Sequence, residues 1–388
     1  MTSPQTNHLF INEPFPHFQR SLNLFRPVRE KVIRRALIVL LLGWFPLVFL
    51  ILAEDYSNSV SLKSFFTDFG VHARSLIAAP LLVLVELPCL RRLDEIIEYF
   101  PGAGIVGDDE QLQFRKIIAS TRSLMQSTIP ELIAIVLAYA IATLLVSVAK
   151  DLNVRPWYIT GPLNSNPSWA GWWYALVSVP LLLVLFFGWL WRLMLWGRFL
   201  TKVARMKLRL IAAHPDRTSG LKFLNSSLFA FSPVAFTFGV VAAGSAATRV
   251  YYLGVTLEGI QKTIVGVLIL VLIVFVSPLL VFAYKLHRAK MLGIFAYGGL
   301  AEGVGRSFEE KWLANYEKYA SGALEATDFS ATTDLYGVVS NVYEMRVLPF
   351  DFRGLITLAV STLIPFLPVV LMTIPLKEFL QAVMRLLI

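Results

Sequence analysis

The sequence predicts an all-α protein: a polytopic transmembrane helical bundle of seven hydrophobic segments, six or seven of them spans, with a small cytoplasmic helical region. Three observations predict it. Of 388 residues, 56% are hydrophobic and only 16% charged, against about a quarter charged in an average soluble protein. The apolar residues fall in runs near the ~20 residues that cross about 30 Å of hydrocarbon at 1.5 Å per residue. Lys and Arg are shared unevenly between the connections, as a fixed orientation in a bilayer requires.

In chain order, a cytoplasmic N-terminal segment, 1–35, comes first. Its basic cluster Arg29, Lys31, Arg34 and Arg35 lies too far from the start for a cleavable signal, and the run after it is of full span length. Residues 36–284 form a six-span bundle (36–53, 71–90, 129–149, 169–191, 223–247 and 263–284). Of its cytoplasmic connections, 91–128 is helical and amphipathic by pattern, interrupted at Pro101-Gly102 and Gly107, and 192–222 holds the basic stretch Lys202 to Arg209. The second run is the weakest, because His72 and Arg74 sit at its outer end. Trp157, Tyr158, Trp169, Trp172, Trp173 and Tyr174 around the fourth run, with Trp189, Trp191 and Trp196 at its inner end, read as interfacial anchors.

The region 285–353 is cytoplasmic and helical. Ser307 with Glu310 three residues on has the capping-box pattern, opening a helix with Phe308, Trp312, Tyr316 and Tyr319 on one face. A second helix is expected near 332–345. Gly298-Gly299 with Gly303 and Gly305 reads as a flexible joint, since neither a preceding strand nor a Gly-Lys-Ser/Thr supports a phosphate loop. In 354–388 the run 354–374, interrupted by Pro365 and Pro368, is a Pro-broken seventh span or a re-entrant segment, followed by a C-terminal amphipathic helix.

With the N-terminus inside, the cytoplasmic segments carry 27 of the 35 Lys and Arg and the external ones seven, with Arg74 inside a run. That split gives a multi-pass protein of the inner membrane with a cytoplasmic N-terminus. It also explains the net charge of +9 without a nucleic-acid partner. Anionic headgroups at the cytoplasmic face are the expected partner of the basic loops.

Pro80-Leu81-Leu82, Pro180-Leu181-Leu182 and Pro278-Leu279-Leu280 recur in three runs of the same direction. They suggest a threefold hairpin repeat with equivalent kinks. Glu86 and Glu131 are the acidic residues inside the runs, both near the cytoplasmic edge. A carboxylate there must be paired or reach water, which predicts that both face the bundle interior, with Arg192 as a partner.

Ser232, Thr237 and Ser245 in the fifth run, with Glu86, Glu131 and Arg192, are the candidate pathway residues. His214, Asp216, Phe308, Trp312, Tyr316 and Tyr319 are the candidates for a cytoplasmic interaction. His214-Pro215-Asp216 has the letters of the J-domain co-chaperone loop, but no further soluble helix follows, and a tight turn is the expectation. The connection His-Pro-Asp-Arg-Thr-Ser-Gly-Leu-Lys-Phe-Leu, 214–224, is similar to one in uncharacterised polytopic bacterial membrane proteins. That resemblance implies a bacterial inner-membrane protein and no particular activity.

The single cysteine, Cys89, excludes a disulfide framework and Cys-based metal sites, and the histidines lie outside the runs or at their ends. No cofactor, metal site or catalytic constellation is expected, so the chain reads as a non-enzyme. Two functions remain. The first, and the one expected, is a transporter or channel for an ion or small solute, with a proline in or beside every run and polar residues in the fifth. The second is a sensor or scaffold coupling the spans through 285–353 to a cytoplasmic partner, with a homo-oligomer as a further possibility.

Overall fold

A computed structural model describes residues 28–58, 62–150, 157–160, 166–314 and 327–373. Tyr316, Tyr319 and the C-terminal amphipathic helix lie outside them. The protein is an all-α bundle. Its helices are α1 (Lys31–Glu54), α2 (Phe69–Gly102), α3 (Gln111–Met125), α4 (Ile129–Lys150), α5 (Trp169–Ala204), α6 (Lys222–Leu253), α7 (Leu257–Trp312), α8 (Thr327–Tyr343) and α9 (Phe352–Thr373). Among the described residues the extended structure is a two-residue antiparallel pair, Ile159–Thr160 with Asn166–Pro167, and the isolated bridge Val106 to Leu208. Six helices (α1, α2, α5, α6, α7 and α9) are long and apolar enough to cross a membrane. The pair α3–α4, bent by 43°, makes a seventh if it counts as one span.

α6 is the central helix, packed by α2, α7 and α9. Small residues let it be so. A side chain at Gly239 would run into the Thr362 carbonyl of α9, and one at Gly244 into Ala73 of α2. α4 lies outside, against α5. Ala134, Ala138 and Ala142 form its buried stripe, while Leu132, Val136 and Leu144 are exposed on the opposite side, as expected where lipid is the neighbour.

The prolines of the suggested repeat differ in effect. A ring without N–H crowds the carbonyl four residues back, and the helix relieves this by widening or tightening. Pro80 and Pro180 each follow a π-helical turn, Ala73–Ala78 and Tyr174–Ser178. Pro278 sits in a 3-10 turn, Ser277–Phe282. The first two hairpins therefore share a device that the third lacks. Pro365 occupies another 3-10 turn, Ile364–Phe366, and α9 continues through it for 22 residues, enough to cross.

Several expectations are corrected. No separate helix opens in the 285–312 region: α7 runs for 56 residues, through the 3-10 turn Ser277–Phe282, from its apolar part to Trp312. Ser307 does not cap a helix: it lies inside α7 and its Oγ bonds the Gly303 carbonyl at 3.1 Å. The glycines at 298–305 are not a joint but part of the same helix. Gly298 and Gly305 face the hydroxyls of Tyr343 and Tyr336, and Gly293 meets Ala212 and Val342, so they let α8 and the 205–221 connection approach closely. Trp189 and Trp196 are buried in the core rather than anchored at an interface, and Trp157 is likewise buried.

Candidate functional site

The end of the bundle holding 91–128, 192–222 and 285–353 carries most of the cationic charge and is called the basic end below. Just within it, Glu86 of α2 is 6% exposed and Arg192 of α5 is 4% exposed. An Arg192 Nη2–H bonds Glu86 Oε1 at 2.5 Å, and Arg35 Nη1 of α1 lies 3.3 Å from Oε2. One carboxylate thus holds two guanidiniums and ties three helices together. The Arg192 guanidinium also lies 5.2 Å from the Trp189 ring centre, whose Nε1–H donates to the Leu82 carbonyl at 3.0 Å. In a medium of low dielectric such a cluster is costly to break, since each survivor becomes a buried unpaired charge.

Glu131 stands one turn before the alanine stripe of α4, on the same face, and is half-buried. It lines a small crevice of about 20 Å³ between α4 and α5 together with Arg192. That is room for about one water molecule between polar partners. Both carboxylates face protein, as the cost of an anion in hydrocarbon dictates.

His214, Pro215 and Asp216 form the hub of the junction beneath this cluster. Asp216 Oδ1 accepts from the amides of Thr218 (2.8 Å) and Gly220 (3.0 Å), and Oδ2 from that of Lys222 (3.1 Å). Burial raises the Asp216 pKa, but these three donors together prevail and hold it below the ordinary value. They fix a tightly wound path in which Arg217, Ser219 and Gly220 all have positive φ. The His214 Nδ1 lies 2.8 Å from the Asp216 carboxylate and 3.2 Å from its amide. A protonated ring donates to the former, a neutral one accepts from the latter.

This winding brings three distant segments together. The Arg209 amide donates to the Ile105 carbonyl at 2.9 Å and the Arg346 amide to the Arg217 carbonyl at 2.7 Å. Arg217 also pairs with Glu344 at 2.8 Å. Beneath them Phe100 of α2, Phe114 of α3 and Phe199 of α5 form one aromatic core, with ring centres 6.0 to 6.3 Å apart. Asp216 therefore points into the protein and holds the junction.

Of the expected aromatic face, Phe308 and Trp312 turn onto α8. Their rings lie 4.9 and 5.0 Å from Phe329, and Trp312 Nε1–H donates to Asp328 at 3.3 Å. Asp328 also pairs with Lys311, whose hydrogen bond holds its carboxyl below the usual range. The expected pathway hydroxyls are spent locally. Ser232 donates to the Phe229 carbonyl, Thr237 to Val234 and Ser245 to Val241, each on its own helix.

Two polar sets escape sequence reasoning. Asn225 and Asp351 bond reciprocally, at 2.9 Å from the Asn225 amide to the carboxylate and 3.2 Å from the Asp351 backbone N–H, joining the starts of α6 and α9. At the opposite end of the bundle, Asp68 receives the Trp157 Nε1–H (3.0 Å) and the Thr248 hydroxyl (3.2 Å). His72 Nδ1 accepts the Trp44 Nε1–H at 3.0 Å, leaving Nε2–H for the Phe65 carbonyl at 3.1 Å. His72 and Trp157 stand out singly in the sequence, but their partners are many residues away. Among the described residues no group of three His, Cys, Asp or Glu side chains is placed to hold a metal.

No family model matches the chain, and neither the curated proteins nor the solved structures include a match.

Proposed function

We propose that this chain is a non-enzymatic scaffold or sensor of the bacterial inner membrane, with its basic end in the cytoplasm. In this reading the spans hold the α7–α8 hairpin and couple it to a cytoplasmic partner. One observation supports it most: α7 carries an apolar span into the hairpin with no loop between them, over 56 residues that include the 3-10 turn Ser277–Phe282. A stiff helix transmits displacement or rotation from one end to the other, whereas a loop would absorb it. The excess of Lys and Arg at the basic end supports the orientation. The tight seating of α6 by Gly239 and Gly244, with its hydroxyls bonded to its own backbone, weighs for scaffolding over a path along that helix.

The test has two arms on the full-length protein. In liposomes it is expected to pass none of a broad panel of ions and solutes faster than empty vesicles. In cells, a photo-crosslinker at exposed Tyr336 of α8 is expected to give a discrete adduct that a crosslinker at exposed Ile269 of α7 does not. Flux that falls on Ser232→Ala or Glu131→Gln, without an adduct at Tyr336, contradicts the reading and restores transport.

A further inference from the structure

An open cleft of about 830 Å³ lies between the end of α5 and the part of α7 just past its apolar stretch, a volume typical of ligand sites. Ala204 and Arg205 line it from α5, and Val281, Lys285 and Arg288 from α7. No carboxylate is among its lining residues. Lys285 donates to the Met206 carbonyl and feels Glu110 nearby. Arg205 and Arg288 are exposed and make no ion pair with the described residues. The same cleft leaves apolar surface bare, with Ile211 56% and Leu292 62% exposed.

These features select the occupant. A small inorganic anion would neutralise the guanidiniums and leave the apolar wall wet. A neutral apolar molecule would cover the wall and strip water from the cations without replacing it. A molecule with an anionic head and a hydrocarbon body meets both demands. The cleft begins at Val281, near the end of the apolar run 263–284, and widens toward Ala204 at the end of α5, so its α7 wall is continuous with the surface of a candidate span.

We propose that the cleft binds an anionic phospholipid from the leaflet at the basic end. Its phosphate lies among Arg205, Lys285 and Arg288, and an acyl chain follows Ala204 and Val281. This site goes beyond the scaffold reading and stands without it.

The test is native mass spectrometry of the full-length protein given equal amounts of phosphatidylglycerol and phosphatidylcholine with identical chains. The wild type is expected to retain the anionic lipid over the zwitterionic one by roughly tenfold, the ratio of about 1.4 kcal/mol. Arg205→Gln with Arg288→Gln brings the ratio to near one, and Arg205→Lys with Arg288→Lys, which keeps the charge, preserves most of it. Arg115→Gln with Lys116→Gln removes the same charge from exposed positions of α3 and leaves the preference intact. No preference in the wild type, or an equal loss in the α3 variant, overturns the proposal. Displacement by millimolar glycerol phosphate as effective as by added lipid also overturns it, because the ligand is then a soluble anion.

Discussion

At the scale of single residues, the bundle is tied together by charges that satisfy one another inside it. Replacing Glu86 by Gln leaves Arg35 and Arg192 facing an amide, and the expected loss is about 3–5 kcal/mol, the range for breaking a buried pair. Thermal unfolding in detergent reads this as a large drop in midpoint. Glu131→Gln, at a half-buried position, is expected to cost less than about 1 kcal/mol. Asp216→Asn removes one of three acceptor contacts and is expected to cost about 1–3 kcal/mol at neutral pH. The Asp216 pKa is lowered in the fold, so its contribution is full above the ordinary value of 3.8 and is lost as pH falls through the lower folded value. The gap between wild type and Asp216→Asn therefore closes in acid; a gap that widens there contradicts the assignment. The Glu86–Arg192 pair was legible in the sequence because acids inside apolar runs are rare and demand a partner. Arg35 was not, since nothing local says which cation of the N-terminal cluster turns inward. The Asp68 set was invisible for a similar reason, with Trp157 89 residues and Thr248 180 residues away.

Among the helices, α7 shows where local signals and packing part company. Ser307 with Glu310 obeys the capping-box pattern, and four nearby glycines weaken a helix by up to about 1 kcal/mol each. Contacts outside the segment decide otherwise: α8 and the 205–221 connection press on Gly293, Gly298 and Gly305. The glycines thus have opposite predicted responses. Gly293→Ala meets Ala212 and Val342 and is expected to destabilise by about 1–3 kcal/mol. Gly299→Ala meets nothing within 4 Å and is expected to stabilise by up to about 1 kcal/mol through helix propensity. Denaturant titration of the two variants checks the pair, and a flexible joint would instead be stiffened and altered similarly by both. The spans were legible because length and hydropathy fix them. The 43° bend between α3 and α4 was not, since it depends on what α3 packs against.

For the whole molecule, membrane bundle and basic end form one continuous structure. The large hydrophobic core extends from Ala36 and Ala79 within the bundle through Trp196 and Phe199 to Met345 at the junction. α7 crosses from one part to the other with no loop, through the 3-10 turn Ser277–Phe282, so a displacement of the spans reaches the hairpin along one helical path. The most direct measurement is a spin-label distance along that path, with Cys89 replaced by Ala and labels at Met291→Cys and Glu310→Cys, exposed positions on either side of the glycine-rich stretch. A continuous helix predicts one narrow distribution near ~29 Å between the two backbone positions, at 1.5 Å per residue. A broad distribution, or one centred well below that distance, would mean a joint at 298–305 and would contradict the account.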